Sequence, residues 1–214
     1  MRKTALTNGE YYHIYNRGVD KRDVFMDEKD YVRFLTGMRE FNCIEPIGSL
    51  YLVDKLRKKG LSPFKRDLVP LVAIIAYCLN PNHYHFILKQ NIDKGISSFM
   101  HRISSGYSTY FNEKYKRSGA LFQGTFKATH INSNELLLYL SAYVNCNSEV
   151  HGIAPAENYK WCSFLDFIDK RKGTLCKKDI ILDQFKDGEE YKIIAVETAG
   201  DINKKREYEK FLLE

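Results

Sequence analysis

The chain has 214 residues, 44% hydrophobic and 14% aromatic, enough to bury a sizeable core in one domain with appendages. Lys and Arg number 33 against 27 Asp and Glu, and the net charge of +6 leans towards anionic partners without reaching histone-like extremes. Five cysteines (Cys43, Cys78, Cys146, Cys162, Cys176), none in CxxC spacing, argue against a disulfide framework and a zinc ribbon.

A reducing, cytoplasmic setting is therefore expected. The first dozen residues lack the apolar run of a signal peptide, and the longest apolar stretch is shorter than the roughly 20 residues that span a bilayer, so a soluble chain is predicted.

"EYYHIYNRG" alternates aromatic and polar residues up to Gly18 and predicts a first strand. Asp27 is a plausible N-cap for a helix in which Tyr31, Phe34, Leu35 and Met38 recur at helical spacing. Residues 43–68 are dense in Lys and Arg around Gly60 and Pro63, and predict an inserted basic loop or short hairpin. "LVAIIAYCL" and "HYHFILK", separated by "NPN", predict an antiparallel hairpin.

Ile96, Phe99, Ile103, Tyr107, Tyr110 and Phe111 then fall three or four apart, giving a long amphipathic helix with His101, Arg102 and Lys114 on its other face. "KRSGALFQGTFKATHI" is punctuated by glycine and then strand-like. A last core helix starts at cap-type residues, carries Leu136, Leu137, Leu140 and Val144 on one face and ends at Gly152. Trp161 in "YKWCSF" reads as a packing anchor that closes the core.

The succession β-α-β-β-α-β-α predicts an α+β fold, a ferredoxin-like antiparallel sheet with helices packed on one face. Residues 1–173 form the expected domain. Residues 174–214, with "DIILDQF" and "KREYEKFLLE" as short helices, form a helical C-terminal appendage.

Successive side chains of a strand point to opposite faces, so His83 and His85 emerge on the same side roughly 7 Å apart, with Tyr84 facing away. Two such imidazoles can share a divalent ion, although a useful site needs a third protein group and open positions. An isolated pair of this spacing is more often structural. Tyr143 and Asn147 lie one turn apart on one flank of the last core helix, which would put an amide oxygen and a phenol near such an ion.

Tyr139, one turn earlier, is an equal candidate by spacing alone. His13 and His130 could line the same sheet face but read as structural, and His151 beside Gly152 reads as helix C-terminal charge.

"NPNHYHFIL", "SGALFQGTFKA" and "YLSAYVNCNSEVHGI", with "YKWCSF" after them, resemble the REP-associated tyrosine transposases, of the single-tyrosine HUH transposase superfamily of bacterial insertion sequences. The resemblance runs from about Tyr11 to Phe164 and implies the HUH nuclease fold, with His83 and His85 as the histidine pair. The pattern around the family's nucleophile falls on Tyr143 to Ser148, which favours Tyr143 over Tyr139 and makes Asn147 the third metal ligand. Asn145 and Ser148 depart from the usual histidine and proline, at positions that are not catalytic in the family.

What the resemblance implies is a metal-dependent endonuclease and strand transferase acting on single-stranded DNA with hairpin or repeat elements. Tyr143 would attack a phosphorus and form a 5′-phosphotyrosine, with Mg²⁺ or Mn²⁺ as cofactor and a monomer or homodimer as the working unit. Arg17, Arg102, Lys114, Lys116, Arg117 and Lys127 are the phosphate-contact candidates, and Tyr107 and Tyr110 sit at core spacing. A domesticated binder of structured single-stranded DNA or RNA is the alternative. A structural metal module would need four ligands with cysteine participation.

Overall fold

A computed structural model describes residues 5–59 and 69–211 of the chain. Four antiparallel strands, β1 (Tyr11–Arg17), β2 (Val72–Asn80), β3 (His83–Gln90) and β4 (Lys127–Ile131), pair in the order β2-β3-β1-β4. With α1 (Glu28–Glu40) before β2 and α3 (Gly95–Lys114) between β3 and β4, this is the ferredoxin-like arrangement read from the sequence.

The β2–β3 hairpin turns through Pro81 and Asn82, with Asn80 opposite His83. Its tip anchors the segment after β1: Gly18 N donates to the Asn82 carbonyl at 2.8 Å, and Val24 N and Phe25 N donate to that of Pro81 at 2.7 and 3.0 Å.

Alternation along the strands sends Tyr12, Ile14, Tyr84, Phe86 and Leu88 to one face. There they form a core with Phe34 and Met38 of α1 and Ile96, Phe99, Ile103 and Tyr107 of α3. The opposite face carries Ala76, Cys78 and Ile87, which pack with Leu137, Ala142 and Val144 of α4 (Asn134–Asn145).

Helices thus cover both faces of the sheet, an extension of the one-sided layer expected. The cause lies in β2 and β3, which are apolar in both directions. A register shift between Ile74 and Ala76 also turns Ile75 into the second core. Each such side chain left in water would forfeit about 1.5–3 kcal/mol.

The helix expected to run to Gly152 is interrupted at Cys146. α4 stops at Asn145, α5 (Asn147–Val150) follows, and Gly152 ends the run at φ +65°, a left-handed conformation that a Cβ disfavours. Residues 161–163 then strap the outer edge of β2: Leu79 N donates to the Trp161 carbonyl at 3.0 Å and Ser163 N to that of Tyr77 at 2.8 Å. Trp161 stacks on Tyr31, ring centroids 4.4 Å apart, and packs against both cores.

Two expectations change. Within the basic insertion Leu50–Lys58 is a helix, α2, rather than loop or hairpin: Ser49 caps it, and Leu50 and Val53 are buried while Lys55, Arg57 and Lys58 occupy its C-terminal turn. The density of cations masked this short apolar stripe. The remainder of the insertion, residues 60–68, lies outside the described residues.

In the C-terminal region α6 (Phe164–Phe167) and α7 (Asp179–Leu182) lead into one 24-residue helix, α8 (Gly188–Phe211), instead of a second short one. Tyr191, Ala195 and Ala199, four residues apart, put its buried stripe into the core around α4. No helix among the described residues is long and apolar enough to cross a membrane.

Candidate active site

His83 and His85 leave β3 towards the α4 side, as period-two geometry requires, and both line a cavity of about 480 Å³. The register puts Tyr15 and Cys78 beside His85, and Arg17 and Asn80 beside His83. Tyr15 in turn pairs with Lys127 of β4. The cavity is lined by these two histidines with Tyr15, Arg17, Lys127 and, from the helix above, Tyr143 and His151.

The His85 ring is fixed from behind. Its Nδ1 lies 2.8 Å from His13 Nε2, and His13, Tyr15 and His85 stack with ring centroids 5.0 to 5.6 Å apart. Burial lowers the pKa of His13 to about 4, so its imidazole is neutral at pH 7. With Nδ1 engaged by His13, Nε2 is the remaining ring nitrogen of His85, and it can coordinate in the tautomer in which His85 Nδ1 donates and His13 Nε2 accepts.

His83 Nδ1 lies 2.5 Å from Asn82 Oδ1 in the same way. A second partner on each ring is how proteins set the tautomer and direction of metal-binding imidazoles.

Tyr143, half-buried, sets its ring edge-on against His85 at 5.4 Å and His13 at 5.9 Å. Its phenol is thereby brought to the same cavity as the histidine pair. Tyr139 is 48% exposed and outside the cavity lining.

Asn147 is fully buried: its Oδ1 accepts from Asn80 Nδ2 at 2.6 Å and lies 3.1 Å from His83 Nε2. The amide oxygen therefore reaches the His83 ring, while its residue stays behind the cavity wall. His151, the C-cap of α5, faces the pair instead, with its ring centroid 4.6 Å from that of His83.

His83, His85 and His151 offer ligand atoms all within 4.8 Å of one another, a spacing and donor set that fit a divalent ion. Burial pushes up the thiols of Cys78 and Cys146, which belong to the core and not to this cluster.

Of the candidate phosphate contacts, Arg17 and Lys127 border the cavity, with Lys21, Gln123 and Asn82 beside them. Arg17 Nε donates to Gln123 Oε1 at 3.2 Å. Arg102 donates to the carbonyls of Cys43 and Ile44, and Lys114 is ion-paired with Asp27 and Asp30 at 2.8 and 2.7 Å. These two belong to α3, which covers the other face of the sheet. Arg117 donates to Asn112, and Lys116 is exposed. Tyr107 is core, its hydroxyl donating to the Val24 carbonyl at 2.5 Å, and Tyr110 is partly buried against the same core.

Residues 71–147 match the family model of IS200-like transposases. That span holds both histidines of β3, Tyr143 and Asn147. Among solved structures the chain is similar to a REP-associated tyrosine transposase bound to a REP hairpin, with a TM-score of 0.55, 14% identity, and coverage of 79% of this chain and 86% of that one. At that identity the likeness speaks for the fold. No curated protein sequence matches. The resemblance to REP-associated tyrosine transposases read from the sequence is borne out by the two matches together, and the chain is transposase-like over residues 71–147.

The sequence reading took His151 as helix C-terminal charge and passed over Lys21, Asn82 and Gln123. His151 had a signal: Tyr143, Asn147 and His151 are spaced four and four, one flank of a helical run. Lys21 and Gln123 reach the cavity through the loops around Gly18 and Phe122, and Asn82 through the tip of the β2–β3 hairpin, which no periodicity marks.

Proposed function

We propose that the chain is a metal-dependent single-stranded DNA endonuclease and strand transferase of the cytoplasm, acting on hairpin-containing DNA through a 5′-phosphotyrosine on Tyr143. The observation that carries this reading is the edge-on contact of the Tyr143 ring with His85 inside a cavity that also holds His83 and His151.

The Tyr143 hydroxyl is the nucleophile. Its oxygen bonds to the phosphorus, the P–O3′ bond breaks, and the phenol proton ends on the departing 3′ oxygen. Phosphodiester bonding is conserved in the link, so a second 3′-hydroxyl can reverse the step and join strands without a nucleotide cofactor.

His83 and His85, with Asn147 or His151, would hold a divalent ion, which when bound supplies charge stabilisation at the phosphate oxygens. His13 and Asn82 keep the two ligand rings turned. Arg17 and Lys127 flank the cavity as cations for adjacent phosphates, and Tyr15 offers an aromatic face.

The test is covalent capture of a hairpin-bearing oligonucleotide on a denaturing gel. Wild type should form an adduct, chelation or His83→Ala should abolish it, and Tyr143→Phe should abolish it while hairpin affinity changes less than about threefold. Undiminished adduct in Tyr143→Phe would reject the nucleophile. A chain that binds hairpins but forms no adduct in any metal would be a binding protein without transposition activity.

A further inference from the structure

Asn80 is the last residue of β2 and sits across the ladder from His83. It is fully buried, and its amide nitrogen lies 2.6 Å from Asn147 Oδ1 and 2.9 Å from His83 Nε2. Its own oxygen accepts from the Cys78 thiol at 3.5 Å. These contacts tie a polar side chain at the end of an apolar strand to two groups of the candidate metal site.

We propose that Asn80 is a positioning residue for the ion: it holds the Asn147 carboxamide with its oxygen, and not its nitrogen, turned towards His83 Nε2. The inference rests on the reading that this site binds a divalent ion, with Asn147 as its oxygen ligand.

His83 Nδ1 lies 2.5 Å from Asn82 Oδ1, and the Asn82 amide is itself oriented because its Nδ2 donates to the Lys21 carbonyl at 3.1 Å. The ring proton therefore sits on Nδ1, and Nε2 of the neutral imidazole is an acceptor. Asn147 Oδ1, also an acceptor, lies 3.1 Å from that Nε2. Two acceptors do not bond to each other.

Turned over, the Asn147 amide would donate its NH2 to Nε2. In the orientation present, its Nδ2 is buried with no hydrogen-bond partner among the described residues. An asparagine with a purely structural part would take the first arrangement, because an unpaired buried N–H is costly. Asn80 blocks it. Its NH2 is a donor only and faces both acceptors at once, so an inverted Asn147 would set two amide nitrogens against each other.

The arrangement that Asn80 enforces is the one a cation needs. Two ligand atoms about 2.1 Å from an octahedral ion and at right angles to each other are about 3 Å apart. His83 Nε2 can give its lone pair to an ion while Asn80 stays on Asn147 Oδ1, which has two lone pairs, so the oxygen remains turned.

Mn²⁺ binding to the metal-free protein is measured by electron paramagnetic resonance of the free ion, in wild type, Asn80→Leu, Asn147→Ala and the double variant. Leu has nearly the shape of Asn and no donor, and circular dichroism verifies that each variant folds. In parallel, the side-chain NH2 resonances of ¹⁵N-asparagine wild type are followed as Mg²⁺ is added.

Mn²⁺ affinity should fall about 10- to 100-fold in Asn80→Leu and by a similar factor in Asn147→Ala. In the Asn147→Ala background, Asn80→Leu should add less than about threefold, because it acts through the residue already removed. The NH2 resonances of Asn80 and Asn147 should shift together in wild type. Unchanged affinity in Asn80→Leu, or losses that multiply in the double variant, overturns the assignment while leaving the ion in place. Should a variant fail to fold, the wild-type spectra decide: Mg²⁺ binding that moves neither resonance also overturns it. Absence of metal binding by wild type would remove the ion from the proposed function, and the part of Asn80 with it.

Discussion

His13 Nε2 meets His85 Nδ1 at 2.8 Å, and burial lowers the His13 pKa from 6.5 to about 4. The folded value lies below the unfolded one, so between pH 6.5 and 4 the unfolded chain binds the extra proton. Stability present above pH 6.5 should therefore fall as the pH drops towards 4, by at most about 3 kcal/mol from this group. Urea unfolding of the metal-free protein at pH 7 and 4.5 measures it: the loss on acidification should be smaller in His13→Gln than in wild type. Equal losses would mean that His13 is not held neutral.

At this scale the sequence was legible where one strand decides the geometry. His83 and His85 share a face because strand period is two, and that needs no tertiary information. The tautomer-setting contacts of His13 and Asn82 depend on pairing β1 with β3 and on the hairpin tip, so they become visible only once the sheet is assembled.

Helix α1 begins at a capping box in which Asp27 and Asp30 serve each other's backbone, and the fully buried Asp30 carboxylate also receives Lys114 Nζ at 2.7 Å and the hydroxyls of Tyr110 and Tyr115 at 3.1 and 2.8 Å. The start of α1 is thus clamped to the end of α3. Removing Lys114 leaves the buried Asp30 carboxylate without its cation, so Lys114→Ala should cost about 3 kcal/mol or more. Lys114→Ala should leave hairpin affinity nearly unchanged. Lost affinity with unchanged stability would return Lys114 to the DNA.

The elements themselves followed from periodicity and caps, and the three departures each have a local cause. α2 was hidden by cations around its stripe, α8 by its charged outer face, and the break at Cys146 by an apolar pattern that continues across it. α8 is bound to α4 through Tyr191, whose hydroxyl accepts from Asn145 Nδ2 at 2.7 Å. We propose that residues 174–211 are integral to the folded unit: Tyr191→Ala should destabilise by about 3–5 kcal/mol in chemical denaturation, whereas a detachable appendage would show no change.

Among the described residues, Arg17, Lys21 and Lys127 border the cavity, while Arg102 and Lys114 belong to α3 on the other face of the sheet. Hairpin binding should weaken with salt, and because each phosphate contact contributes a slope of about 0.7 in log–log form for single strands, Arg17→Ala and Lys127→Ala should each flatten the plot by roughly that amount. Arg102→Ala, whose guanidinium serves backbone carbonyls, should not. Sequence composition gave the sign of this charge, and only the assembled sheet separates cavity cations from those that α3 uses for its own packing.

The claim on which the rest depends is that the phenol beside His85 performs the attack. Peptide mapping by tandem mass spectrometry of the adduct formed with a hairpin oligonucleotide tests it most directly. A nucleotide attached through phosphate to Tyr143 is the expected result, and attachment to Tyr139, Tyr15 or any other residue would contradict the account.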